Sequence, residues 1–130
     1  MSRCVIDTSA ILAYAFRERG ATKVERWIDG GAAVSTLTIQ ETASKLCQNA
    51  MPPDEIEELV VSLGLAVHDL DLALAFMAAK TFAITKPFGL SHGDRACLAL
   101  GLALGVPVVT ADKALSEVAA DLGVQVEQFR

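Results

Sequence analysis

The chain has 130 residues, enough for one compact domain with a real core and too few for two. Apolar residues make up 52% and mean hydropathy is +0.41, but the longest apolar run, Ala96 to Val109, holds Gly101, Gly105 and Pro107 and falls short of the roughly 18 residues that cross a bilayer. Eleven basic residues against 16 acidic leave a net charge of −5, so a polyanionic partner has to be met by local basic groups or bound cations.

The predicted elements begin with a strand, Cys4-Val5-Ile6, that ends at once in Asp7-Thr8-Ser9, and a helical pattern from Ala10 to Gly20. A second helix, Thr22 to Asp29, stops at Gly30-Gly31. Ala32 to Ser35 reads as a second strand, followed by a helix Ile39 to Ala50 whose first turn holds Glu41. Pro52-Pro53-Asp54 opens a helix Glu55 to Leu63, with acids where the helix dipole favours them. Leu65 to His68 is a third strand. Asp69 to Asp71 caps a long helix, Leu72 to about Ile84, with Leu72, Phe76, Ala79 and Ala83 along one face, broken by Lys86-Pro87-Phe88-Gly89.

The most informative stretch is LSHGDRACLALGLALGVPVVTAD, Leu90 to Asp112. It predicts a loop with Ser91 and Asp94, a buried helix from about Arg95 to Leu104, a Gly105 stop, a strand Val106 to Val109, and a turn with Thr110 and Asp112. A helix Lys113 to Leu122 and a strand Val124 to Glu127 complete the chain. Short strands alternating with helices imply an α/β fold: a single domain, 1–130, built as a three-layer α/β/α sandwich on a short, mainly parallel five-stranded sheet. The pattern leaves strand order open. Surplus apolar surface on so short a chain suggests that a helix face is covered by another subunit.

Cys4, Cys47 and Cys97 are odd in number, widely spaced and without a CxxC pair, which argues against a disulfide framework or a zinc site. The opening MSRCVIDTSA has no charged region leading into a long apolar segment, so a reducing, cytoplasmic setting with no membrane attachment is expected.

Asp7, Glu41, Asp94 and Asp112 each follow a strand or lie in the first turn of the next helix. Each has a plain structural use. Asp7 or Ser9 can cap a helix, Thr38-x-x-Glu41 and Ser91-x-x-Asp94 have capping-box spacing, and Thr110 can cap the helix after it. Caps do not explain the accumulation. In a parallel sheet these junctions gather at one edge, and two carboxylates about 4 Å apart repel by roughly 4 kcal/mol at an effective dielectric near 20. Such a cluster takes up protons or a cation, and oxygen ligands alone select a hard ion, Mg²⁺ or Mn²⁺. That ion would activate water and offset charge on a phosphoryl oxygen. Thr8, Ser9, Ser91 and Thr110 are placed to orient the acids or the water. Arg95, beside Asp94, either contacts phosphate or pairs with an acid; Lys86 and Lys113 are weaker candidates, and His92 and His68 receive no role.

VIDTSAIL, the Glu41 helix, LSHGDRACLALG and VPVVTADKAL together resemble the PIN-domain ribonucleases, and within them the VapC toxins of bacterial toxin-antitoxin pairs. The resemblance spans nearly the whole chain. It implies that Asp7, Glu41, Asp94 and Asp112 are an acidic quartet holding one or two Mg²⁺ ions, Asp7 and Asp94 most directly, and that Thr110 is the small hydroxyl residue before the last acid. It also implies endonucleolytic cleavage of RNA, a homodimer, and inhibition by a VapB-type antitoxin. The segment TLTIQE departs from the family, where an Asn is common shortly before the acid. Two rivals remain: a receiver-like phosphoacceptor module, which would pair two acids after the first strand where this chain has Asp7-Thr8, and a PIN nuclease that is not a toxin.

Overall fold

A computed structural model describes every residue from Met1 to Arg130. Five strands, β1 (Cys4–Ile6), β2 (Ala32–Ser35), β3 (Ala66–His68), β4 (Val108–Thr110) and β5 (Val126–Gln128), form one sheet in the order β3-β2-β1-β4-β5. Every neighbouring pair is parallel. The eight helices are α1 (Thr8–Ala15), α2 (Ala21–Asp29), α3 (Thr36–Gln48), α4 (Pro53–Ser62), α5 (Leu72–Lys80), α6 (Phe82–Thr85), α7 (His92–Leu104) and α8 (Lys113–Leu122).

The three layers follow from the two-residue period of the inner strands. Cys4, Ile6, Val34 and Val109 point to one face and pack with Ala10, Ile11 and Ala13 of α1 and Val24 of α2. Val5, Ala33 and Val108 point to the other and pack with Cys97, Leu98 and Leu100 of α7 and Leu115 and Val118 of α8. Residues on both faces are fully buried, which is why these strands read as unbroken apolar runs. No helix is long and apolar enough to cross a membrane.

From central β1 the chain moves outward to β2 and β3, then returns to place β4 on the other flank. The direction of winding therefore reverses between β1 and β4. The crevice beyond their carboxyl ends is the topological switch point, where such sheets bind ligands.

Several boundaries shift from the sequence reading, each for a local reason. Helix α1 starts at Thr8 because Asp7 caps it, and α3 starts at Thr36 because Ser35 Oγ accepts from Leu37 N. Thr38 is thereby drawn into the helix, where its hydroxyl meets Cys97 Sγ at 3.2 Å; the expected Thr38–Glu41 capping box does not form. Helix α7 starts at His92, three residues early, because the Ser91–Asp94 capping box does form. Strand β4 starts late because the helix stop before it uses the intervening residues: Gly105 is left-handed (φ 66°), Val106 N donates back to Gly101 O at 3.1 Å, and Pro107 has no N–H. Gly123 (φ 73°) and Val124, which donates to Ala119 O at 3.2 Å, delay β5 in the same way.

The expected long helix from Leu72 divides at Thr81, which ends α5 and precedes α6. The face that carries Leu72 and Phe76 is not turned to the core. Leu72 is 72% and Phe76 60% exposed, and the buried residue of α5 is Ala78.

Candidate active site

Asp7 follows β1 directly, so its side chain stands at the switch point. Its Oδ1 accepts from Ala10 N at 3.0 Å, which caps α1, and from Ser9 Oγ at 2.6 Å. Its Oδ2 accepts from Thr110 Oγ1 at the end of β4. Thr110 is the last residue of the strand rather than the cap of α8, and its hydroxyl also accepts from Asp112 N at 2.9 Å. Ser9 Oγ accepts from Ala111 N at 2.9 Å. Two hydroxyls thus tie the ends of β1 and β4 around one carboxylate.

That carboxylate is 5% exposed, and the only ion pairs in the protein lie elsewhere, between Arg17 and Glu25 and between Arg130 and Glu18. Burial raises the Asp7 pKa above the ordinary aspartate value, the hydrogen bonds from Ser9, Thr110 and Ala10 oppose the shift, and the charge on Asp94 adds to it.

Glu41 comes from the second turn of α3. Its Oε1 accepts from Thr8 Oγ1 at 2.8 Å, and Thr8 Oγ1 in turn accepts from buried Thr42 at 3.2 Å. Its other oxygen lies against Gly93, where an added Cβ would stand 2.5 Å from Oε2. A residue without a side chain is what lets the start of α7 approach Glu41.

Asp94 takes the N3 position of α7. Its Oδ2 accepts from Ser91 N at 2.8 Å and Ser91 Oγ at 3.0 Å, leaving Oδ1 uncommitted. Asp112 caps α8, with Oδ1 accepting from Ala114 N at 2.9 Å. Asp7, Glu41, Asp94 and Asp112, with Thr8, Ser9 and Ser91, line one cleft of about 330 Å³. Capping and clustering are therefore not competing accounts. Three of the acids cap helices with one oxygen, and the same bonds fix how they face the cleft.

The donors present suit a hard divalent ion. They are carboxylates and hydroxyls, and one of the carboxylates is buried without a counter-cation. No three of the acids close into a preformed cage. Mg²⁺ does not require one, because it retains several waters and binds through one or two carboxylates. Cys97 also lines the cleft, but burial, with a further push from the charge on Asp7, raises its thiol pKa and keeps it protonated, so it offers neither a nucleophile nor a soft ligand.

Arg95 is not among the residues lining the cleft. It is 8% exposed, its Nε donates to Thr85 Oγ1 at 2.8 Å, its guanidinium lies 4.9 Å from the Phe82 ring, and it pairs with no acid. With His92 it borders a separate, mainly apolar hollow of about 510 Å³ beside α5. Asp71 caps α5, accepting from Leu74 N at 2.9 Å, and does not line the cleft. Sequence reasoning missed Gly93 and Lys45, both of which line the cleft. The i, i+4 spacing of Glu41 and Lys45 on one helix was the available signal for the lysine.

Comparison with known structures gives matches along nearly the full chain. VapBC bound to DNA from Salmonella typhimurium matches with a TM-score of 0.76 at 17% identity, covering 100% of both chains. A toxin-antitoxin complex from Klebsiella pneumoniae matches at 0.72 and 16%, covering 98% of each. FitAcB from Neisseria gonorrhoeae matches at 0.67 and 17%, covering 97% of each. At these identities the likeness is one of fold. Comparison with curated protein sequences returns no match. The family model for the PIN domain matches residues 4–121, which span every acid of the cleft, and the chain belongs to the PIN domain family.

Proposed function

We propose that the protein is a Mg²⁺-dependent endoribonuclease, with Mn²⁺ able to substitute, and that it is the toxin of a toxin-antitoxin pair restrained by a VapB-type antitoxin. The observation that carries the nuclease reading is the gathering of Asp7, Glu41, Asp94 and Asp112 at the switch point with no basic partner for the buried Asp7. The toxin reading is supported by folds of the same shape in VapBC and FitAcB.

A divalent ion bound in the cleft supplies activation of water and offsets charge on the phosphoryl oxygens. The chain's own residues do the rest. Asp7 and Asp94 would hold the ion, Asp7 fixed by Ser9 and Thr110 and Asp94 by Ser91. Glu41, steadied by Thr8, and Asp112 would orient water, and one of the two would take up the single proton it gives. Preset hydrogen bonds mean that little reorganisation is required when the phosphodiester arrives.

Purified protein should cleave single-stranded RNA with Mg²⁺ or Mn²⁺, lose activity with EDTA, and lose it in Asp7→Ala and Asp94→Ala with the fold retained by circular dichroism. Undiminished cleavage by both variants would refute the assignment. We also propose a homodimer, supported by the exposed Leu72, Phe76 and Phe82 around the hollow floored by Ala75, Ala78 and Ala79. Phe76→Asp should yield a monomer by light scattering, and an unchanged mass would remove this face from consideration.

A further inference from the structure

We propose that the trough between α1 and α3 seats the RNA nucleotide next to the scissile phosphate, with Lys45 receiving its phosphate and Phe16 offering a stacking face to its base. The inference rests on the nuclease reading and adds the route by which substrate reaches the acids.

The trough is walled by two matched rows. On α3 and its cap, Glu41, Lys45 and Asn49 recur every four residues and share one face, each about 6 Å beyond the last. On α1 and its cap, Ser9, Leu12 and Phe16 recur at three and four residues, and α1 packs against α3. Between the rows lies a trough of about 440 Å³. Ser9 and Lys45 line both this trough and the acidic cleft, so the two adjoin. One step along α3 from Glu41 is on the scale of one nucleotide of an extended strand.

Charge gives the trough its direction. Lys45 is the only cation among the residues lining the cleft, and it forms no ion pair, not even with Glu41 one turn away. In a chain of net charge −5 it is the local basic group that a polyanion needs. At the far end Arg130 is already held by Glu18 at 3.0 Å. Phe16 is 46% exposed on the opposite wall, and its ring is of the kind on which any base can stack. Asn49 Nδ2 donates to Lys45 O at 3.0 Å, so its side-chain oxygen is left to accept from a base amino group or a 2′-hydroxyl.

The test is steady-state cleavage of a fluorescent single-stranded RNA by wild type, Lys45→Ala, Lys45→Arg, Phe16→Ala and Phe16→Trp across about 50 to 200 mM salt. Lys45→Ala should raise KM about tenfold with kcat nearly unchanged and lower the salt slope by roughly one, and Lys45→Arg should restore both. Phe16→Ala should raise KM about five- to tenfold and Phe16→Trp should not. Mn²⁺ should stabilise all five in a thermal melt, which reports an intact acidic cleft. If wild type cleaves and both alanine variants keep its KM and salt slope, the subsite is refuted while the nuclease reading stands. Variants that weaken only a complex with an antitoxin protein would assign the trough to that partner and overturn the proposal. A wild type that cleaves no RNA with either metal would remove the nuclease reading and this one together.

Discussion

Replacing Asp7 by Asn removes one charge from the switch point and leaves its shape. The Asn Oδ1 can still accept from Ala10 N and Ser9 Oγ. Its amide nitrogen then faces the Thr110 hydroxyl, which can accept in place of donating and turn its own proton toward Ser9 Oγ, 3.5 Å away. The variant should therefore fold. The sign of the stability change follows from the pKa. Burial, reinforced by Asp94, raises the Asp7 pKa in the folded state, so metal-free wild type has this contribution in full below the unfolded value near 4 and loses it as pH rises through the folded value. Without metal, Asp7→Asn should match wild type at low pH and exceed it at neutral pH.

With metal the order reverses. A cation present at about 100 times its Kd stabilises wild type by about 2.7 kcal/mol, and in a domain of this size that is a rise in Tm of roughly 10 °C. Asp7→Asn should gain no more than a few degrees, because the buried ligand charge is gone. The assay is thermal melting at several pH values with EDTA or with Mg²⁺ or Mn²⁺. Equal metal-induced shifts in the two proteins would refute the reasoning, as would a metal-free variant that melts well below wild type at neutral pH.

Gly93→Ala should separate the site from the fold. The new Cβ pushes the Glu41 carboxylate, 2.5 Å away, off Thr8, while alanine favours the helix by about 1 kcal/mol, so Tm should hold or rise as RNA cleavage falls about tenfold; full activity would exclude Glu41 from the machinery. Gly101→Ala tests helix-to-sheet spacing instead. Its Cβ would stand 2.8 Å from Val108 Cγ2 and 3.1 Å from Val124 Cγ2, so melting should drop by roughly 3 to 8 °C, and adding Val108→Ala, which removes the nearer methyl, should recover part of the loss. Arg95→Gln gives up the contact with Phe82 and the bond to Thr85, for about 1 to 2 kcal/mol measured by urea unfolding. Its KM for RNA should stay within about twofold of wild type, and a larger rise would return Arg95 to the substrate path.

The acids, their hydroxyl neighbours and the alternation of strands and helices were legible in the sequence because each depends on spacing along the chain. Strand period, helix period and the position of a carboxylate just after a strand are local properties. Boundaries were less so, because Ser35, Gly105 and Gly123 each shift where an element begins or ends through bonds that capping residues make with neighbours a few positions away. Arg95 shows the limit most plainly. One residue after a cleft acid, it turns instead to Phe82 and Thr85, since adjacent positions on a helix point about 100° apart and only the packing of α6 decides what waits there.

Leu72 and Phe76 make the same point from the opposite side, as apolar residues in a helical pattern that remain exposed. Periodicity says which residues share a face, not whether that face is turned toward the core. The order β3-β2-β1-β4-β5, and with it the meeting of Asp7 and Thr110 across more than a hundred residues, was decided only by the tertiary structure. Strand order is a choice among long-range pairings, and no local pattern in the chain distinguishes between them.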